Sequence, residues 1–159
     1  MTPSSTGMTW LLFALMTAVS WGTYGVFLHN GQVSMADPNN GRYKAFLFVG
    51  IAYFLTAVLA PLAVLMMRGA TWDMPMKGMV WSLVAGIVGA LGAFCVLLAF
   101  GAKGTPSVVM SIVFAGAPVV NAFVAMAFHP PAAGLRWQFM LGIALAAVGG
   151  GLVTLYRPQ

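Results

Sequence analysis

The sequence predicts an all-α fold, an integral membrane bundle of five transmembrane helices with residues 1–159 forming a single domain. Hydrophobic residues make up 61% of the chain, charged residues only 6%, and the mean hydropathy is +0.94. So little polar surface cannot cover a water-soluble protein of this length. Five apolar runs are long enough to cross a bilayer, which takes about 20 helical residues. The runs are continuous rather than alternating, which favours helices over membrane strands.

Breaks that contain Gly or Pro and at least one cation separate the predicted spans. A sixth span has no apolar material left to form it. The stretch MTPSSTGMTW lacks a basic region before the first span, so we expect that span to remain in the mature chain. The predicted spans cover approximately residues 8–28, 44–67, 78–101, 106–128 and 137–156.

The first span gathers polar and aromatic side chains on one side. At about 100° per residue, four of them fall within one sector of the helix, and we interpret this sector as the wall of a water-filled cavity. Two alternatives stay open. Hydroxyl groups in membrane helices bond to their own backbone carbonyls, and aromatic rings near a span end belong to the interfacial belt. The four residues are Thr17, Ser20, Trp21 and Tyr24.

The second and third spans carry a kink signal and a packing signal. Pro61 follows Tyr53 and Thr56 in the second span and predicts a helix kink that can act as a hinge. In the third span, Ala85, Gly89 and Ala93 recur at intervals of four, and we assign Gly86 to the same small-residue surface. Small residues at intervals of four let a second helix approach closely, so we predict helix packing there.

The fourth span repeats the polar pattern of the first. Ser111, Pro118 and Asn121 lie within one sector of a straight helix, and Pro118 removes one backbone donor and predicts a kink. An Asn amide is costly in lipid unless it finds partners. We therefore expect Asn121 to face protein or water, either as a substrate contact or as an interhelical bond. In the fifth span, Gly142 and Gly150 predict a second packing surface.

Charge and ligand patterns narrow the possible functions. The net charge of +5 comes from scattered Lys and Arg rather than from the cluster that nucleic acid binding needs. The few His, Cys and acidic residues are too dispersed for a metal site, and we expect no cofactor. Both acidic residues, Asp37 and Asp73, lie in predicted loops. A proton relay through an intramembrane carboxylate is therefore not predicted.

Loop charges leave the membrane orientation open. On the side of the N-terminus lie Arg68, Lys77 and Arg136, and on the other side lie Arg42, Lys44, Lys103 and Arg157. This near balance is compatible with insertion in both directions, with orientation by a partner, or with orientation by the apolar flanks.

Most of the chain resembles a known family. The segment GIVGALGAFCVLLAFGAKGTPSVVMSIVFAGAPVVNAFVAMAF, from Gly86, and the later LGIALAAVGGGLVTL are similar to the second part of an EamA domain of the drug/metabolite transporter superfamily. The shared features are the Gly-rich third span, the Ala-x-Lys-Gly turn, the mid-helix Pro118 and a last span with Gly142, Leu145 and Gly149. The segment SWGTYG of the first span also looks like part of that superfamily's first helix.

The resemblance implies a five-helix unit of which typical members carry two, in inverted orientation, around a central cavity. A carrier built from this chain would then need two copies. Family members often have a Glu after the fourth span, where this chain has FHPPAAG with His129. The resemblance therefore does not extend to that acid.

Two function classes follow. The first is a small-molecule carrier, a homodimer that moves a neutral or zwitterionic metabolite by alternating access through a cavity lined by Trp21, Tyr24, Ser111 and Asn121. The second is a non-catalytic structural or assembly subunit of a larger membrane complex. An enzyme is not expected, because no nucleophile, base and acid can be assembled from the spans. We expect a multi-pass protein of the plasma (inner) membrane whose partners are the lipid bilayer and either a second copy or other membrane subunits.

Overall fold

The computed structural model describes residues 8–130, 134 and 136–156, and these residues form helices joined by short loops. The continuous helix Gly41–Met67 contains a single π-helical turn, so five helices are long and apolar enough to cross a membrane. The predicted helical class and its five membrane-length helices are confirmed. The elements are α1 (Thr9–Ser34), α2 (Gly41–Phe54), the π turn (Leu55–Leu59), α3 (Ala60–Met67), α4 (Met76–Gly101), α5 (Pro106–Phe128) and α6 (Trp137–Leu155).

Some sequence predictions fall on residues outside this description. They concern the N-terminal segment 1–7, the positions 131–133 and 135 in the last predicted break, and Arg157 in the orientation argument.

The first helix is longer than its hydropathy predicts. The sequence places its end near residue 28, yet α1 continues to Ser34. Gly31 does not interrupt it, and a Cβ at Gly31 would lie 4.0 Å from Ala45 Cβ on α2. Contact with a neighbouring helix therefore offsets the low helix propensity of Gly. After the C-cap residue Met35, the chain turns away at Ala36, whose φ of 50° lies in the left-handed region.

Two other helix ends coincide with a glycine or a proline in the sequence. After α3, Gly69 adopts a φ of +58°. The Ala70 amide donates to Leu65 O at 3.0 Å and the Gly69 amide donates to Met66 O at 3.1 Å, which is the Schellman arrangement that closes a helix. Pro106 begins α5 at a position where no backbone donor is needed.

The two predicted kink positions differ in their surroundings. Pro61 is the second residue after the π turn, and the Ala60 amide donates to Leu55 O, five residues back. Because Pro61 has no N–H, the regular hydrogen-bond ladder is already interrupted at this point. Pro118 lies inside α5, which stays helical on both sides of it. The kinks themselves stay predictions.

Contacts divide the chain into two compact units, Met1–Ala102 and Lys103–Gln159. In the first unit, α1, α2 and α4 pack together near the C-terminal end of α4. Leu28, Ala45 and Leu97 are buried there, Leu97 completely. The Phe94 ring lies between two rings of α2, 5.5 Å from the centroid of Phe46 and 6.4 Å from that of Tyr43.

The parts of the first unit that lie outside this core are mostly exposed. All residues from 50 to 69 and from 71 to 92 are exposed, so α3 and the first part of α4 present apolar side chains on every side. In a membrane helix, such a surface faces lipid or another protein. The first unit therefore joins its helices at one end only.

In the second unit, α5 packs against α6. The two helices approach closely at Gly150, where an added Cβ would overlap the Cβ of Ala115. That residues 1–159 form a single domain stays a prediction.

Candidate functional site

A cleft of about 500 Å³ lies between α1 and α2 in the first unit. Its wall is mostly apolar, and its polar atoms are the hydroxyl groups of Ser, Thr and Tyr. No lining side chain carries a carboxylate, an ammonium or a guanidinium group. The lining residues are Ser20, Thr23, Tyr24, Phe27, Leu28, Gly31, Met35, Ala45, Phe48, Val49, Ala52, Tyr53 and Thr56.

Tyr24 is the residue of this cleft whose polar atom is least satisfied. Its hydroxyl oxygen is shielded from solvent and has no hydrogen-bond partner among the described residues. Its ring packs against Trp21, with centroids 5.5 Å apart and planes tilted by 54°. A shielded hydroxyl without a partner is unfavourable. It can therefore accept or donate a hydrogen bond to a molecule that enters the cleft.

Three threonine hydroxyl groups on these helices are occupied by backbone carbonyls. Thr23 Oγ1 donates to Val19 O at 3.0 Å, and Thr56 Oγ1 donates to Ala52 O at 2.8 Å. Thr17, predicted as a cavity residue, likewise donates to Phe13 O at 2.8 Å. For Thr17, the structure thus shows the back-bonding that the sequence left as an alternative.

The structure brings together part of the predicted cavity set. Ser20 and Tyr24 line the cleft, whereas Trp21 reaches it only through the Tyr24 ring, and Thr17 does not line it. That Trp21 and Tyr24 line one cavity together with Ser111 and Asn121 stays a prediction.

The α2 side of the cleft was not predicted as a cavity wall. Its residues follow the helical spacing i, i+3, i+4, i+7, i+8 and i+11, which was readable from the sequence. The signal was weak because the residues between them are equally apolar. These positions are Ala45, Phe48, Val49, Ala52, Tyr53 and Thr56.

The second unit has its own cleft, of about 620 Å³, between α5 and α6. Asn121 and Pro118 line it together with His129 and Arg136, whose convergence the sequence did not predict. Asn121 is exposed. Ser111 does not line this cleft, and its Oγ donates to Ser107 O at 2.6 Å.

The predicted packing glycines have different neighbours. Gly150 lies against Ala115 at the close approach of α5 and α6. An added Cβ at Gly86, Gly89 or Gly142 would meet no atom within 4 Å. Packing at these three positions stays a prediction that needs another surface to test it.

Charged side chains of the loop after α1 and of the first turn of α2 lie close together. Lys44 Nζ donates to Asp37 Oδ2 at 2.7 Å, and the amides of Asn39 and Asn40 donate to Asp37 Oδ1. These bonds, chiefly that from Lys44, lower the pKa of the Asp37 carboxyl to about 2. Within the described part of the chain, no group of three or more His, Cys, Asp or Glu side chains could hold a metal ion.

Comparison of the chain with protein-family models, with curated proteins and with solved structures gives no match.

Proposed function

We propose that this protein is a small-molecule membrane carrier of the drug/metabolite transporter type, an EamA-like half unit that acts as a dimer by alternating access in the plasma membrane. The observation that carries the proposal is the unpartnered Tyr24 hydroxyl in the cleft between α1 and α2. A shielded polar atom in a mostly apolar cleft is the pattern of a small-molecule site, where a few polar groups orient the ligand.

The lining chemistry supports a neutral or zwitterionic substrate. A cleft without charged side chains has no fixed charge to pair with a strongly ionic molecule. The rings of Tyr24 and Tyr53 offer surfaces for stacking or for a substrate ammonium group. Since both are hydroxylated, they also supply hydrogen bonds. We expect no chemistry on the substrate, so the protein is not proposed as an enzyme.

The π turn supports the alternating-access part of the proposal. Thr56 belongs both to the cleft wall and to the turn Leu55–Leu59, which ends just before Pro61. A helix with an interrupted hydrogen-bond ladder bends there more easily than elsewhere. Rearrangement of this turn would move Thr56 and so change the opening of the cleft.

The exposed length of α3 and α4 supports assembly with further protein. Residues 50–69 and 71–92 are exposed, including the Gly86 and Gly89 surface. A second copy can pack on that surface and complete the carrier. The same observation also favours the second candidate function, a structural subunit of a larger complex, whose partner would cover these helices instead.

The test of transport uses proteoliposomes loaded with an equimolar mixture of neutral and zwitterionic metabolites, namely amino acids, glycine betaine and small sugars. Efflux of each component is followed by mass spectrometry, with protein-free vesicles as the baseline. We expect at least one component to leave faster with the protein. Tyr24→Phe should slow that efflux, because it removes only the hydroxyl group.

The matched control is Tyr43→Phe, since Tyr43 stacks on Phe94 and does not line the cleft. Equal efflux from Tyr24→Phe and Tyr43→Phe vesicles would contradict the assignment of the cleft. Efflux no faster than the baseline for every component would contradict the carrier.

Native mass measurement after mild detergent extraction separates the two candidate functions. A dimer of this chain alone supports the carrier. Copurification in a large assembly of fixed stoichiometry supports the subunit.

A further inference from the structure

A second, more polar cleft lies at one end of the first unit, away from the proposed substrate cleft. It has a volume of about 330 Å³ and forms where α1 ends, α2 begins and α4 ends. Because these are the ends of three membrane-length helices, the cleft would lie in a bilayer where the hydrocarbon gives way to the headgroup region. Its lining residues are Gln32, Val33, Ala36, Asp37, Pro38, Arg42 and Gly101.

Arg42 supplies the positive charge of this cleft. Its guanidinium has no carboxylate partner among the described residues, because Asp37 is paired with Lys44. The Nε atom of Arg42 is shielded from solvent and has no hydrogen-bond partner in the described part of the chain. Since Asp37 and Lys44 cancel, one uncompensated positive charge remains. A shielded N–H of a charged group without an acceptor is unfavourable unless a ligand supplies one.

Gln32 supplies a second unsatisfied group in the same cleft. Its Oε1 is also shielded and without a partner among the described residues. The amide group as a whole can donate as well as accept. Arg42 and Gln32 together therefore fit a ligand that carries anionic oxygens next to a hydroxyl or amine group.

Gly101 holds the space that the Arg42 side chain occupies. A Cβ at position 101 would lie 2.5 Å from Arg42 Nη1 and 3.2 Å from Arg42 Cδ. Any larger residue would force the guanidinium to move. The end of α4 thus fixes where this charge sits, and its C-terminal dipole favours a cation there.

We propose that this cleft binds a phosphate group at the membrane interface, with Arg42 contacting the phosphate oxygens and Gln32 contacting the neighbouring polar group. The planar guanidinium matches the spacing of phosphate oxygens. A phosphodiester of a phospholipid headgroup and a soluble phosphate share this chemistry, and the interfacial position makes the headgroup the ligand that we expect.

The test measures binding to the full-length, delipidated protein in detergent by native mass spectrometry. Three probes distinguish the sources: short-chain phosphatidylglycerol, short-chain diacylglycerol without phosphate, and inorganic phosphate. Wild-type protein should bind phosphatidylglycerol and not diacylglycerol. Arg42→Gln should weaken that binding by about tenfold or more, the usual effect of losing a hydrogen bond to a charged group. Binding of inorganic phosphate alone would assign the site to a soluble ligand and overturn the headgroup assignment.

Two further variants separate binding from folding. Gly101→Ala keeps the charge but displaces the guanidinium, so it should also weaken phosphatidylglycerol binding. Gln32→Glu places an anion inside the cleft, and it should abolish binding while the melting temperature is kept or raised. These two variants keep the proposal testable if Arg42→Gln fails to fold.

Lys103→Gln is the matched control, because it removes a charge two residues after Gly101 that neither lines the cleft nor pairs with Asp37. It should leave phosphatidylglycerol binding unchanged. The site would be overturned by equal loss in Lys103→Gln and Arg42→Gln, which would indicate general surface charge. Unchanged binding in folded Gln32→Glu and Gly101→Ala would overturn it as well.

Discussion

Lys44 Nζ lies 2.7 Å from Asp37 Oδ2 and joins the first turns of α2 to the loop that precedes it. Asp37 also accepts bonds from the amides of Asn39 and Asn40, which lead into α2. This one carboxylate therefore organises the link between the first two helices.

The Asp37 interactions predict a stability change at acidic pH. Its pKa is lowered from 3.8 to about 2. A carboxyl with a lowered pKa in the folded protein contributes stability that is present above the unfolded value and is lost as the pH falls through the folded value. We therefore expect the melting temperature of the wild type to fall as the pH drops from 4 to 2. The Asp37→Asn variant should lack the part of this fall that protonation of Asp37 causes.

Carbon-13 NMR of Asp-labelled protein measures the same quantity directly, since the chain has only two acidic side chains. The Asp37 resonance is identified by its loss in Asp37→Asn. Lys44→Gln should move its midpoint back toward 3.8, because the Lys44 bond is the largest cause of the shift. A wild-type midpoint already near 3.8 would contradict the ion pair.

Gly150→Ala should destabilise the packing of α5 on α6. The added methyl group would overlap Ala115 Cβ, and overpacking of this kind costs about 1–3 kcal/mol. The control is Gly151→Ala, because an added Cβ there meets no atom within 4 Å. Ala is the better helix former, so this control should be neutral or slightly stabilising. The free energy of unfolding in mixed detergent measures both, and equal values would contradict the close approach at Gly150.

Gly41→Ala should destabilise the junction of α1 and α2. A Cβ at Gly41 would lie 3.0 Å from Gln32 O and 3.2 Å from Met35 Cβ, and a backbone oxygen cannot move aside as a side-chain tip can. We expect a loss of about 1–3 kcal/mol. Gly50→Ala, on the same helix without a neighbour within 4 Å, is the control. Thermal unfolding in detergent measures the difference, and a loss as large at Gly50 would indicate a general effect of the added methyl group.

Asn121→Leu should abolish efflux of the transported metabolite while the protein remains folded. The substitution removes an amide from the cleft that Asn121 lines with His129 and Arg136, and it leaves an apolar side chain of similar size. Val124→Leu on the same helix, outside that lining, is the control. Efflux from proteoliposomes loaded with the metabolite mixture is the measurement. Full efflux in folded Asn121→Leu would remove this residue from the transport path.

Several features followed directly from the order of residues. Hydropathy located the five helices, and Pro106 marked the start of α5. The end of α1 was placed too early, because the polar run after His29 stays helical to Ser34 while Gly31 packs near Ala45. A contact with another helix decided that boundary, and no local signal records such a contact.

The candidate site was predicted only in part for a related reason. The polar sector of α1 includes Ser20 and Tyr24, and both line the cleft. The opposite wall on α2, with Tyr53 and Thr56, had no comparable polar signal because most of its neighbours are apolar as well. Gln32, Arg42 and Gly101 lie at three helix ends and line one cleft. The end of α4 is far from the other two in the chain, so no local pattern predicts that they meet.

By itself, the sequence determined that the chain forms apolar helices of membrane length, because the backbone must satisfy its own hydrogen bonds in a medium without water. Only the tertiary structure decided which helix faces meet, at Gly150 and Ala115 in one unit and around Leu97 in the other. In lipid, an apolar face gains little from leaving the solvent, since acyl chains are as apolar as the protein interior. Close steric fit and a few polar atoms therefore select the contacts, and both depend on residues far apart in the sequence.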